Sequence, residues 1–255
     1  MSEQNEKAYI SYRHVYKAFG TQSVCLDFNL DIVKGETISI IGPSGIGKTV
    51  TIKMLIGLLD VDQGEIWFDG VDVAAFTKDK LFMPMRKRVS MLFQWAALFD
   101  SMTVFDNVAY PLREQFNLSP GELKERVQDK LELVGLPYAG SKMPSELSGG
   151  MKKRIGLARA IATDPEVILY DEPTTGLDPI NTVRIADLII ALQERLKCTS
   201  IVVIHDIPSA IRLSNRAAFM YDGKIKAVGT MDALINSKDS FVRGFLAGDP
   251  TLADF

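Results

Sequence analysis

Eight residues, Gly42-Pro43-Ser44-Gly45-Ile46-Gly47-Lys48-Thr49, constrain this chain more than any other stretch. They follow, without a mismatch, the pattern glycine, four residues, Gly-Lys-Ser/Thr, a loop whose main-chain N–H groups curl around phosphate oxygens. Before them, Thr37-Ile38-Ser39-Ile40-Ile41 is a β-branched apolar run that reads as a buried strand. After them, Val50 to Gly57 has apolar spacing suited to a helix stopped by glycine. Strand, loop and helix in that order put the loop at a helix N-terminus, where peptide dipoles add roughly half a positive charge. In such a loop Lys48 reaches the β- and γ-phosphates, and the Thr49 hydroxyl ligates Mg²⁺. A glycine-rich turn matching by chance would lack this context on both sides. The ligand class is a nucleotide; the loop is silent on what the nucleotide is for.

At 255 residues the chain holds one large domain or two small ones. A net charge of -3 argues against a nucleic-acid partner, which leaves a basic footprint. Cys25 and Cys198 lie far apart and make no metal spacing, so core thiols in a reducing cytosol are expected. No run approaches the roughly 18 apolar residues of a membrane span. Met1 to Glu6 is too polar to begin a signal peptide. The expectation is a soluble, cytoplasmic chain that acts at a membrane only through a partner.

Along the chain, Ala8 to Tyr16 is aromatic and β-branched, and Cys25 to Ile32 alternates, with Leu26, Phe28, Leu30 and Ile32 expected on one face. Both read as half-buried antiparallel strands. His14 has no acidic or cysteine neighbour in sequence and reads as structural. Gly64 to Gly70 reads as a strand closing on a tight Asp-Gly turn. Arg86-Lys87-Arg88 reads as a solvated face before the strand run Val89 to Gln94. From about 98 to 162 the pattern turns helical, with Leu123, Val127, Leu131 and Val134 on one face of a helix ended by Gly135. Strand-like runs at 167–170 and 200–204 bracket a helix near 180–196, a βαβ order that argues for a parallel sheet. The fold class expected is α/β, a nucleotide-binding core with an antiparallel β part and a helical insert. One domain over 1–255 is expected, with core at 8–97 and 163–255 and the insert at 98–162.

Further chemistry sits at strand ends. Asp171 follows the apolar strand 167–170 and suits Mg²⁺ binding; Glu172 beside it is placed to polarise an attacking water. Adjacent acids are common on surfaces, but a carboxylate after four apolar residues requires a partner. His205 ends the next strand, where an imidazole would contact the γ-phosphate or hold the water in line with Glu172. Ser148-Gly149-Gly150 opens a helix with Ser148 as N-cap, a second helix end suited to an anion. One nucleotide already has its loop, so this end implies another site or another subunit. Phe19, an aromatic at a turn, reads equally as a core or hairpin residue or as a stacking ring.

Together these residues resemble the nucleotide-binding subunits of ATP-binding cassette (ABC) transporters, over nearly the whole chain. The resemblance implies a P-loop NTPase core and an ATPase that uses ATP and Mg²⁺. It makes Gly42 to Thr49 the Walker A loop, Val167 to Asp171 Walker B, and Glu172 the catalytic carboxylate. It makes Ser148-Gly149-Gly150 the signature, Gln94 the Q-loop glutamine that meets Mg²⁺, Asp178 the D-loop residue and His205 the switch histidine. Phe19 stands where an aromatic stacks on adenine. Three departures remove no catalytic group: Met151 for the glutamine after the signature, Val50 for a hydroxyl residue, and Phe19 for tyrosine.

Met91-Leu92-Phe93-Gln94, Ala97-Leu98-Phe99, Val104 to Glu114 and Met143 to Met151 carry a narrower resemblance, to the ATPases of Mla-type lipid transporters of the Gram-negative envelope. It implies a head-to-tail dimer with a second copy, and attachment through a membrane permease at the cytoplasmic face of the inner membrane. An MCE-domain protein and an accessory cytoplasmic subunit complete the implied partners. Leu98, Phe99, Met102, Val104 and Phe105 would form a groove for a permease helix or serve as insert core. A non-transport ABC ATPase would carry a long coiled coil or two cassettes. A phosphate-loop kinase would leave the signature helix without purpose.

Overall fold

A computed structural model describes residues 8–249; the hexapeptide Met1 to Glu6 lies outside them. The described chain forms two compact units, one of residues up to 83 and from 201 onward, the other of residues 84–200.

The first unit opens with a hairpin, β1 (Ile10–Phe19) and β2 (Gln22–Ile32), then β3 (Thr37–Ile41), α1 (Lys48–Leu55), β4 (Gln63–Phe68) and β5 (Val71–Asp72). β2-β1-β4-β5 is an antiparallel sheet. The expected alternation of β2 holds for Phe28, Leu30 and Ile32, which are buried, and breaks at Leu26, which is only half-buried while Val24 and Cys25 are inside. The cause is a pair of bulges. His14 and Asp27 both have left-handed backbones, and the register slips between Tyr12↔Leu30, Val15↔Phe28 and Lys17↔Cys25. His14 therefore does have an acidic partner: its Nδ1 lies 2.7 Å from Asp27 Oδ1 at the exposed surface. Sequence distance hid a pair that antiparallel pairing brings together. Asp69 and Gly70 both have positive φ, as a tight turn between β4 and β5 requires.

Helix α2 (Asp79–Arg86) leads into the second unit, which continues with β6 (Val89–Leu92), α3 (Val104–Gln115), α4 (Pro120–Leu133), α5 (Gly149–Ala160), β7 (Val167–Asp171) and α6 (Pro179–Leu196). β6 and β7 are parallel, Val89 opposite Val167 and Leu92 opposite Tyr170. All five residues of β7 are buried, each aliphatic one contributing about 1.5–3 kcal/mol. Helix α4 starts on a reciprocal capping box between Ser119 and Glu122, with proline in its first turn. Its Val127 and Leu131 are buried, and Val134, the residue that caps its end, is buried too, whereas Leu123 is only half-buried. The cation run is not simply a solvated face: Arg88 donates to both carboxylate oxygens of Glu166 at 2.6 and 3.0 Å.

Strand β8 (Thr199–Val203) returns the chain to the first unit, followed by α7 (Ile207–Leu213), β9 (Arg216–Tyr221), β10 (Lys224–Thr230), α8 (Met231–Ile235) and α9 (Ser240–Ala247). β3 runs parallel to β9, and β9 antiparallel to β10. Phe241 and Phe245 of α9 stack on Phe219, at 6.0 and 5.0 Å between ring centroids. Both cysteines are buried as expected, and burial pushes the Cys25 thiol up to about 12. Among the described residues no helix is long and apolar enough to cross a membrane.

Asn107 organises the approach to α3. Fully buried, it accepts from the Phe99 N–H at 2.8 Å and donates to the carbonyls of Phe99, Met102 and Thr103 at 3.0–3.2 Å. Asn107→Ala strands these groups without water and should cost about 3 kcal/mol, read as a lowered urea midpoint.

Candidate nucleotide site

In the first unit the phosphate loop runs from the end of β3 to α1. Two of its three glycines, Gly42 and Gly47, are demanded by packing as much as by φ. A Cβ on Gly42 (φ 149) would lie 2.2 Å from the Met220 carbonyl oxygen, and one on Gly47 (φ 102) 1.9 Å from Val24 Cγ1. Gly47 is the N-cap of α1 and supplies no side-chain acceptor, whereas Thr103, Ser119, Ser148 and Asp178 all cap their helices with side-chain oxygens. An anion suits a helix start built this way. Pro43 and Ile46 are half-buried, and Ser44 and Gly45 form the exposed tip. Lys48 is 4% exposed, its ammonium donating to the carbonyls of Gly42 and Pro43 at 2.8 and 2.7 Å. The lysine expected to reach phosphates is thus tethered to its own loop. Thr49 follows it in the first turn of α1.

Two more first-unit candidates stand at surfaces. His205 is exposed just past β8, and Asp206 after it caps α7 by accepting from Ser209 N–H at 3.0 Å. Phe19 ends β1 at 46% exposure with the Lys17 ammonium 5.4 Å from its ring centroid. Paired with Gln22, it closes the β1–β2 hairpin, so it is a hairpin residue and not a core one, with an exposed ring.

In the second unit, Asp171 ends β7 at 5% exposure, and Glu172 follows with a left-handed backbone, φ 46. That conformation is strained for a glutamate and persists only where neighbours impose it. They do so here. Gln94 Nε2 donates to Glu172 Oε2 at 2.9 Å, and the Thr175 hydroxyl donates to the same oxygen at 3.0 Å. The glutamine expected to meet Mg²⁺ is thus also the direct partner of the expected base. Asp178 caps α6, accepting from the N–H groups of Ile180 and Asn181 at 3.0 Å each, and these with the Asn181 amide hold its carboxyl below the usual range. Ser148 caps α5 by accepting from Met151 N–H at 3.3 Å, and Gly149 and Gly150 form the first helical positions.

Lys153 escaped the sequence reading. It is 4% exposed, and its ammonium donates to the main-chain carbonyls of Gln94 and, at 3.2 Å, Glu172. Burial pushes this ammonium down to about 8, opposed by the carboxylates of Asp171 and Glu172. A helical wheel carries the missed signal: Lys153 lies three and four residues before Gly156 and Leu157, both buried.

The groove-forming residues split. Phe99 lines a groove of about 450 Å³ with Met91, Phe93, Ala97, Tyr110 and Pro111. Phe105 lines a different hollow with Leu123 and Leu131, and Val104 is insert core. Leu98 and Met102 are half-buried. Oxygen donors such as Thr49, Gln94 and Asp171 suit Mg²⁺, a hard cation bound through one or two carboxylates beside substrate phosphates and water.

Comparison with known proteins places these geometries. A family model described as "ABC transporter" matches residues 25–175. The "intermembrane phospholipid transport system ATP-binding protein MlaF" of Haemophilus influenzae is 46% identical over 90% of this chain and 87% of its own length. Its Escherichia coli counterpart is 44% identical over 96% and 91%. A "probable ribonucleotide transport ATP-binding protein" of Mycobacterium tuberculosis is 40% identical over 91% of this chain and 64% of its own length. A solved ATP-binding cassette, dimeric and in a post-hydrolysis state with ADP and Pi, superposes with a TM-score of 0.79 at 29% identity, covering 87% of this chain and 98% of that one.

Gly47→Ala drives a methyl group into Val24 and should lower nucleotide affinity at least about tenfold while destabilising the first unit by about 1–3 kcal/mol. Titration with a fluorescent ATP analogue and thermal unfolding would measure both.

Proposed function

The chain belongs to the ABC transporter family of ATP-binding, ATP-hydrolysing subunits, and from that membership we propose that it powers phospholipid transport between the membranes of a Gram-negative envelope. What carries the catalytic half of this reading is the strained Glu172 clamped by Gln94 and Thr175. What supports the cargo is identity of 44–46% to two phospholipid-system ATPases over nine-tenths or more of the chain.

Two copies pack head to tail. The nucleotide is held by Gly42 to Thr49 of one chain and met by Ser148-Gly149-Gly150 of the other, while the Phe19 ring stacks on adenine and Asp178 lies along the shared face. Lys48 and the loop N–H groups hold the β- and γ-phosphates. Glu172 accepts the proton of the attacking water as the oxygen bonds to the γ-phosphorus and ADP leaves. Gln94 and His205 keep that water and Glu172 aligned. Thr49, Asp171 and Gln94 would hold Mg²⁺, which would supply charge neutralisation to the phosphoryl group. Loss of the γ-phosphate removes the bridge between chains and lets the dimer open.

The chain works as a peripheral subunit at the cytoplasmic face of the inner membrane, the apolar groove of Met91, Phe93, Phe99 and Tyr110 receiving a permease helix. An MCE-domain protein and an accessory cytoplasmic subunit complete the assembly. The mycobacterial relative favours a second reading, in which the cargo is a ribonucleotide. Reconstituting the chain with the permease it copurifies with, and offering labelled phospholipid against labelled ribonucleotide, separates the two; ATP-driven movement of the ribonucleotide alone overturns the lipid assignment.

Glu172→Gln should retain ATP affinity while hydrolysis falls roughly 10²–10⁴-fold, measured as released phosphate. Lys48→Ala should instead weaken nucleotide binding itself, and an unchanged dissociation constant would remove the loop from its role.

A further inference from the structure

Helix α5 carries a buried lysine and a half-buried arginine, and both end on main-chain oxygen. Lys153 donates to the carbonyls of Gln94 and Glu172. Arg159 donates to the carbonyls of Ala96 and Ala97 at 2.6 and 2.8 Å, and its guanidinium lies 5.8 Å from the Phe99 ring centroid. Between them they hold three of the four carbonyls of the stretch 94–97, those of Gln94, Ala96 and Ala97. That stretch is itself unusual, since Ala96 and Ala97 have left-handed backbones, φ 61 and 46, as Glu172 does. Three strained non-glycine residues therefore sit on or beside the oxygens that one helix grips. Contact is close as well: a Cβ on Gly156 of α5 would fall 2.8 Å from Leu92 Cδ1 and 2.9 Å from Ala96 Cβ. There is no slack through which α5 could shift without moving residues 92–97.

We propose that Lys153 and Arg159 form a clasp that couples the signature end of α5 to the same chain's Gln94 and Glu172, making hydrolysis at one nucleotide responsive to the other. The inference rests on the head-to-tail reading above. In that dimer, Ser148-Gly149-Gly150 meets the partner subunit's nucleotide, while Gln94 and Glu172 serve the chain's own. A displacement of α5 by one nucleotide is passed through Lys153 to the base at the other. An ammonium suits the task because its three donors engage two carbonyls from different segments at once, which an apolar side chain of equal volume cannot do. Lys153 is thus a positioning residue: it touches the main chain that carries the base, not the reacting atoms. Coupling of this kind is a free energy between sites and appears as a Hill coefficient above 1, bounded by the two sites present.

The test compares the full-length chain with Lys153→Met and Lys153→Arg, by ATPase rate against ATP concentration. Binding of a fluorescent ATP analogue and ATP-dependent dimerisation in a Glu172→Gln background supply readouts besides turnover. The wild-type chain should show a Hill coefficient of about 1.5–2. In Lys153→Met it should fall toward 1 with kcat down about 10–100-fold, as misplacement of a catalytic group implies, while affinity for the analogue stays within about twofold. Lys153→Arg, which keeps charge and donors, should restore much of the cooperativity. Should Lys153→Met fail to fold by circular dichroism, Lys153→Gln, with a shorter neutral donor, takes its place with the same expectation. Unchanged cooperativity in the folded variant overturns the clasp, as does a fall in kcat that arginine does not rescue and that leaves the Hill coefficient intact. A wild-type chain that hydrolyses ATP non-cooperatively as a monomer sinks the head-to-tail reading and this inference with it, an outcome visible before any variant is made.

Discussion

A cation drawn out of water persists only where oxygen surrounds it, and beside the phosphate loop and the Gln94 stretch that oxygen comes from the backbone. Lys48 rests on the carbonyls of Gly42 and Pro43, Lys153 on those of Gln94 and Glu172, and Arg159 on those of Ala96 and Ala97. Each of these carbonyls belongs to a segment that is neither helix nor strand at that point, or that stands at the end of one. Such segments have main-chain groups that no ladder satisfies, and a cation with several donors gathers them. The phosphate loop and the Gln94 stretch thereby acquire fixed shapes without regular secondary structure.

Fixed shape matters because the chemistry asks little covalent work of the protein. Phosphoryl transfer to water needs a base, anion donors and alignment, so catalysis depends on holding groups in place before the substrate arrives. The strain at Glu172, Ala96 and Ala97 is the physical trace of that preorganisation. It is balanced by contacts that are individually ordinary: two donors on one carboxylate oxygen, a guanidinium across two carbonyls, a glycine where a helix passes too close for a methyl group. Membership of the ABC transporter family explains why such a frame is needed, since these chains bind and hydrolyse ATP.

Much of this was legible in the order of residues, because local rules and local spacing carried it. The phosphate loop needed only its glycines and a strand and helix to flank it. The period of two found β2, the helical spacing found α4, and the Asp69-Gly70 turn followed from the left-handed preference of its residues. Ser148 declared itself a cap by its place before two glycines and an apolar run. These are interactions within about a dozen residues, so the sequence by itself determined them.

What required the tertiary structure is whatever joins distant segments. The bulges at His14 and Asp27 turn Leu26 half outward and create a hydrogen bond across 13 residues of sequence. Gln94 finds Glu172, and Lys153 finds both of their carbonyls, across 78 and as many as 59 residues. No periodicity encodes which oxygen a buried ammonium will meet, because the partner is chosen by how β6, α5 and β7 pack and not by neighbours along the chain. The sequence alone determined the phosphate-loop motif and the strand and helix that flank it; only packing decided which side chains hold the Glu172 carboxylate, since that depends on distances in space that spacing along a chain does not contain.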